Sequence, residues 1–196
     1  MDPLPRLIIA TRNAHKTAEI RAMVAGQFEV LDATGFPEFP EIEETGSTFL
    51  ENARLKALGI SQRIAGWVLS DDSGLEVDAL GGAPGVWSSS YGGEEGNHGK
   101  NNARLLAEMI GMSQRSARFR CIMVLARDGV EQANFSGCVE GRIIDAIQGE
   151  KGFGYDPLFI PEGHEQTFAE LGDSVKNSLS HRARALAKVL EFLHQT

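Results

Sequence analysis

The sequence predicts an α/β protein whose sheet is mixed, and three stretches carry that prediction. Leu7-Ile8-Ile9-Ala10 is a short continuous apolar run, followed at once by helical spacing from about Ala14 to Val24. Phe119-Arg120-Cys121-Ile122-Met123-Val124-Leu125-Ala126 is apolar at nearly every position, as expected of a central strand covered on both faces. Asp128-Gly129 then supplies a hairpin signal, and Val130 to Phe135 alternates after it, so part of the sheet is antiparallel.

Composition narrows the class. A chain of 196 residues, 42% hydrophobic and 23% charged, fits one soluble domain with an ample core. A formal net charge of −8 argues against a protein that grips nucleic acid through its phosphates, which needs a basic face. A small nucleotide remains compatible, because a metal and a few local cations can neutralise its phosphates. Cys121 and Cys138 have no CxxC spacing, so neither a zinc site nor a disulfide framework is indicated, and a reducing compartment is expected. Met1-Asp2-Pro3-Leu4-Pro5-Arg6 lacks the layout of a signal peptide, and no apolar run reaches the length of a membrane span. A soluble, cytoplasmic protein is the expectation.

Between the first strand and helix lies Thr11-Arg12-Asn13-Ala14-His15-Lys16. A polar turn entering a helix exposes backbone N–H groups and a positive dipole end. Lys16 is unfavourable in that first turn unless an anion is close. Gly35 to Pro40 reads as a loop and Glu41 to Gly46 as an acidic turn, after which Thr48-Phe49-Leu50-Glu51 has capping-box spacing and starts a helix near Phe49. Its apolar stripe is Phe49, Ala53, Ala57, Ile60 and Ile64, and helical geometry turns Asn52 and Lys56 toward that stripe. Burying either alone is costly, so both need partners unless Lys56 snorkels to water.

Trp67-Val68-Leu69-Ser70 is a strand-like run that ends in Asp71-Asp72-Ser73-Gly74. Adjacent carboxylates repel unless a cation relieves them, although the same residues also make ordinary turns. Leu75, Val77 and Ala79 alternate with acids, and Gly81 to Gly85 breaks the chain. Asn101 to Ile110 reads as a helix, Cys138 to Ile144 as another strand, and Gly152-Phe153-Gly154-Tyr155-Asp156-Pro157 as a loop with two rings. Lys176, His181 and Arg182 gather donors at the start of a last helix, from about Ser180, whose inward residues are Leu186, Val189, Leu190 and Leu193.

The polar exceptions form three groups: acids (Glu44, Asp71, Asp72), donors (Thr11, Asn13, Lys16, Lys56, Lys176, Arg182) and an aromatic shelf (Phe153, Tyr155). Acids suited to Mg²⁺, cations suited to phosphate and a ring platform describe a nucleoside polyphosphate site.

Six blocks carry a resemblance: Thr11 to Lys16, Glu43 to Ala53, Asp71 to Leu75, Gly81 to Gly85, Gly152 to Pro157 and Ser180-His181-Arg182. In this order they resemble the inosine triphosphate pyrophosphatase family, in its bacterial dITP/XTP branch. The resemblance covers nearly the whole chain. It implies an elongated α/β/α fold around a long mixed sheet, a homodimer, and Mg²⁺-dependent hydrolysis of dITP, ITP and XTP to monophosphate and pyrophosphate. By the same resemblance Thr11, Asn13 and Lys16 hold the triphosphate within the binding segment that includes Arg12, Ala14 and His15. Glu44 and Asp72 bind Mg²⁺ with Asp71 assisting, and the catalytic set is Asp72, the proton acceptor, with Asp71 and Lys16. Lys56 offsets phosphate charge, Ser73 contacts substrate, and Phe153, Gly154, Tyr155, Asp156, Lys176, His181 and Arg182 form the base and sugar side. Where the bacterial pattern often reads Ser-Ala-Arg-Tyr, this chain has Ser88-Ser89-Ser90-Tyr91 and so lacks that arginine.

Three other readings compete. A phosphatase with Asp71 as nucleophile needs Asp-x-Asp, and Ser73 stands at the third position. A nucleotide sensor binds without turnover, and a related pyrophosphatase acts on modified pyrimidines.

Overall fold

The computed structural model describes residues 3–39 and 41–195. The first two residues of the N-terminal segment, and Pro40 at the end of the loop expected over 35–40, lie outside the described residues. The strands are β1 (Arg6–Ile9), β2 (Glu29–Asp32), β3 (Trp67–Val77), β4 (Ser116–Arg127), β5 (Val130–Ile143) and β6 (Phe159–Pro161). The α-helices are α1 (Ala14–Met23), α2 (Phe49–Ser61), α3 (His98–Glu108), α4 (Phe168–Leu171), α5 (Asp173–Leu179) and α6 (His181–Leu193). Strand order in the sheet is β2-β1-β3-β4-β5-β6. β1 pairs in parallel with β2 and β3, whereas β5 and β6 pair antiparallel, so the sheet is mixed as expected. Asp128 and Gly129 turn β4 into β5 with φ of 52° and 78°, both left-handed as a two-residue hairpin demands.

The chain divides into two compact units, one made of residues 1–72, 121–136 and 183–196, the other of 73–120 and 137–182. The first is a three-layer sandwich. Leu7, Ile9, Leu69, Cys121, Met123 and Leu125 point to one face and bury Ile20 and Val24 of α1 with Ala185, Leu186 and Val189 of α6. Residues of the other parity face α2: Ile8, Ala10 and Val68 cover Ile60, while Val124 and Ala126 cover Ala53 and Ala57. This is strand alternation with both faces occupied, and each fully buried aliphatic side chain contributes about 1.5–3 kcal/mol. α2 starts where its capping box places it, with the Thr48 hydroxyl accepting from Glu51 N and the Glu51 carboxylate accepting from Thr48 N.

The second unit packs Leu75, Val77, Leu105, Met109, Tyr155 and Phe168 around an aromatic pair, Phe119 and Phe159, whose rings meet edge-on at 4.8 Å. Here Gly74 is needed for space. A Cβ on it would lie 2.3 Å from Ser88 Oγ and 2.5 Å from the Gly85 carbonyl oxygen. The Ser88 hydroxyl itself accepts from Leu75 N and donates to Gly85 O, so it cannot retreat without breaking both bonds. Gly74→Ala is therefore expected to cost about 1–3 kcal/mol through overpacking. The check is the denaturant midpoint, and an unchanged midpoint would show that the loop yields freely.

Three boundaries differ from those expected. β3 does not end at Asp71 but continues through both carboxylates to Val77. β5 is one continuous strand where the sequence suggests two segments. The glycine at 141 does not break it, because a Cβ there would strike Ile160 O at 2.3 Å, so close backbone approach is its role. α3 begins at His98 rather than Asn101, capped by the Asn97 side chain on Lys100 N. Among the described residues no helix is long and apolar enough to cross a membrane.

Candidate active site

In the first unit, β3 presents two carboxylates to two different faces. Successive side chains of a strand point in opposite directions. Asp71 shares the face of Leu69 and meets α1; Asp72 shares the face of Ser70 and meets α2, where the Ser70 hydroxyl donates to Ala53 O at 2.6 Å. The acid group that the sequence assembles from Glu44, Asp71 and Asp72 is therefore divided by the pleat.

On the α2 face, Lys56 Nζ reaches Glu44 Oε2 at 2.8 Å and Asp72 Oδ1 at 2.9 Å, with the Asp71 carbonyl oxygen at 3.1 Å. Lys56 is buried, as its place on the helix stripe requires, and these three acceptors compensate the desolvation that would otherwise exclude it. Burial works against its charge, but Asp72 and Glu44 outweigh it and raise the Lys56 pKa. Asp72 behaves oppositely: burial dominates over Lys56 and Lys16 and pushes its carboxyl up to about 6. Burial also acts on Glu44, which is half exposed, yet there Lys56 prevails and holds it below the ordinary range. Asn52, also turned inward, accepts from Gly46 N at 2.7 Å and so fixes the acidic turn that carries Glu44.

Among the described residues no group of three or more His, Cys, Asp or Glu side chains forms a metal cage. The donor set still fits a hard divalent cation. Glu44 and Asp72 are two carboxylates brought to one ammonium, and Asp72 Oδ2 is buried with no hydrogen-bond partner among the described residues. Mg²⁺ characteristically takes one or two protein carboxylates and completes its shell with water and phosphate oxygens.

On the α1 face, Lys16 Nζ lies 2.7 Å from Asp71 Oδ1 and 3.3 Å from the Asp71 carbonyl oxygen. The charge conflict of a lysine in a first helical turn is thus resolved by a protein carboxylate. Asn13 caps α1, its Oδ1 accepting from His15 N and Lys16 N, and Thr11 Oγ1 accepts from Asn13 N. That leaves the Thr11 O–H and the Asn13 amide N–H groups as the donor ends of those side chains. Arg12 turns elsewhere and donates to Phe39 O at 2.8 Å.

The second unit holds the remaining candidates. Asp156 is buried and accepts from Phe153 N at 2.8 Å and Lys176 Nζ at 2.6 Å. Lys176 sits 4.3 Å from the Phe153 ring centroid, and the Arg182 guanidinium lies 5.9 Å from it. Arg182 also donates to Ser73 Oγ at 3.0 Å, and His181 stacks on Phe119 at 4.9 Å. The expected aromatic shelf splits: Phe153 carries the cations, whereas Tyr155 is core, its hydroxyl donating to Ser88 O at 2.9 Å. Asn101 and Asn102 brace these loops from α3, Asn101 donating to Ser89 O and Asn102 to Gly154 O at 2.9 and 3.0 Å. The sequence offered only one signal for them: amides beside the apolar positions of α3, which must find partners if buried.

Comparison with known proteins adds an independent line. The model of the Ham1 family matches residues 7–192. A dITP/XTP pyrophosphatase of Geobacillus kaustophilus is 47% identical over 191 residues, covering 96% of this chain and 94% of that one. A dITP/XTP pyrophosphatase of Geobacter sulfurreducens is 46% identical over 194 residues, covering 97% of each chain. The solved structure of a HAM1 protein from Coxiella burnetii superposes with a TM-score of 0.87 at 35% identity, covering 98% of this chain and 100% of that one. A match from the first strand to the last helix, in sequence and in fold alike, places this chain in the Ham1 family.

Proposed function

We propose that this chain hydrolyses non-standard purine nucleoside triphosphates (dITP, ITP, XTP and dXTP) to the monophosphate and pyrophosphate, clearing deaminated purines from the nucleotide pool. The geometric observation that carries the reading is Asp72, a buried carboxylate anchored at Oδ1 by Lys56 while its Oδ2 has no hydrogen-bond partner among the described residues. Its pKa near 6 suits a base working at neutral pH. Asp72 accepts the proton of the attacking water, whose oxygen bonds to the α-phosphorus as the α–β bridging oxygen leaves with pyrophosphate. Glu44 and Asp72 would hold Mg²⁺. A bound divalent cation supplies charge neutralisation on the phosphates and raises the acidity of water. Lys16, Thr11 and Asn13 take the triphosphate, and Lys56 opposes the charge that develops as the bond breaks.

Phe153 stacks on the purine, and Lys176, His181 and Arg182 supply donors. A 6-oxo purine offers an acceptor where adenine offers an amine, so donors at that edge favour hypoxanthine and xanthine. Adenine would leave those donors unpaired. The same reading carries a homodimer and a cytoplasmic location. The phosphatase alternative is disfavoured by Asp71, which is wholly buried with Oδ1 on Lys16 and Oδ2 on Cys121 rather than poised for attack.

The test is initial rates of pyrophosphate release with dITP, XTP, dATP, dGTP and modified pyrimidine triphosphates in the presence of Mg²⁺. dITP and XTP are expected to exceed dATP in kcat/KM by on the order of a hundredfold or more. Equal turnover of dATP would remove the specificity assignment. Tight dITP binding without pyrophosphate release would identify a sensor, and preference for a modified pyrimidine would identify the related pyrophosphatase.

A further inference from the structure

We propose that Cys121 is a positioning residue for Lys16, acting through Asp71; its role in turnover rests on the function proposed above. Cys121 lies in β4, the strand beside β3, and is fully buried, as is Asp71. Its Sγ is 3.1 Å from Asp71 Oδ2, while Lys16 Nζ is 2.7 Å from Oδ1. The carboxylate is thus engaged at both oxygens. A carboxylate torsion is broad and roughly two-fold, so an ammonium at one oxygen does not by itself fix the plane. A donor at the other oxygen does. Lys16 is on a long flexible stem in a helix's first turn; its longer contact, 3.3 Å to the Asp71 carbonyl oxygen, gives it one fixed point, and the shorter one to Oδ1 gives a second only if that carboxylate is rigid.

The choice of residue follows from the surroundings. Cys121 packs in the apolar layer of Leu69, Met123, Ile9 and Ile20. A thiol is apolar enough for that layer yet still offers one S–H. Valine would match the packing but supply no donor, and serine would supply a donor at some cost in packing. Those two substitutions therefore separate positioning from filling.

The experiment compares Cys121→Val and Cys121→Ser, each alone and combined with Lys16→Ala. It reads kcat/KM for dITP, the thermal midpoint, and the rate of Lys16 reductive methylation by mass spectrometry without nucleotide. Cys121→Val is expected to lower kcat/KM about tenfold and to raise Lys16 labelling several-fold, whereas Cys121→Ser stays within about threefold of the native chain. In the Lys16→Ala background Cys121→Val should cost nothing further. Three results would overturn the proposal: native behaviour of Cys121→Val, equal losses in the valine and serine variants, or a loss of the same size with and without Lys16. If the native chain does not turn over dITP, the function proposed above fails on its own, and the labelling still decides: unchanged Lys16 reactivity in Cys121→Val sinks the positioning role. Should the valine variant not fold, Cys121→Ala takes its place in the same comparisons.

Discussion

Asp72→Asn is expected to reduce kcat by about 10²–10⁴-fold, the usual span for loss of a general base, while the folded chain becomes no less stable. The stability half follows from the direction of the shift. The folded carboxyl titrates near 6 and the unperturbed value is 3.8, so the folded state binds the proton more tightly. Between those values stability falls as pH rises, and above about 6 the full cost of the ionised, buried side chain is present. Asparagine resembles the protonated acid, keeps an oxygen for Lys56, and carries no charge to desolvate. Thermal unfolding at pH 8 in EDTA should therefore give an equal or higher midpoint for the variant, alongside its loss of activity. Such an exchange of stability for function is the mark of a site held under electrostatic stress. Normal turnover in Asp72→Asn would remove this residue from the chemistry, and a sharply lowered midpoint would show that Lys56 depends on its charge.

Lys176→Met should produce the largest loss of stability among single changes at the candidate residues. The Lys176 and Asp156 side chains are only 3% and 2% exposed. Removing the ammonium takes from the buried Asp156 carboxylate the cation held at 2.6 Å, at a cost of about 3–5 kcal/mol. A companion variant distinguishes the pair from the place. Replacing both partners by apolar residues, Lys176→Met with Asp156→Leu, should recover much of that loss, because two desolvated charges disappear together. It should not recover dITP turnover, since the loop would lose the Asp156 acceptor that holds Phe153. Urea denaturation of the three proteins gives the comparison, and a single variant as stable as the native chain would show that the pair is dispensable to folding.

Local signals proved readable where the cause is local. Thr48 and Glu51 announced α2, and helical spacing turned Lys56 and Asn52 inward, where both are now found buried with acceptors or donors. The apolar run at 119–126 gave the central strand. Longer-range causes were not legible in the same way. Lys16 at a helix start pointed to an anion, and the anion proved to be a carboxylate 55 residues further along. Asp-Asp-Ser-Gly reads as turn chemistry, yet Lys16 and Lys56 neutralise both acids and let β3 run straight through, a tertiary effect that overrides a weak strand propensity. Cys121 gave no sign at all, since a thiol in an apolar strand looks like packing until its neighbour is known. Tyr155 beside Phe153 suggested a pair of stacking rings, and only the position of the Ser88 carbonyl shows that one of them belongs to the core.

The ammoniums of Lys16 and Lys56 both reach the carbonyl oxygen of Asp71, at 3.3 and 3.1 Å. A carbonyl oxygen can accept more than one hydrogen bond, and both ammoniums donate to this one. The two positive charges are therefore measured from a single peptide atom, which acts as a common benchmark for helices rooted on opposite sides of the sheet. Side-chain flexibility at either helix cannot alter the gauge between them without breaking one of those bonds. An arginine at either position would bring a planar fork instead of a point charge, and its geometry could not share that atom on the same terms. The spacing of these two charges is, in this protein, a property of the backbone.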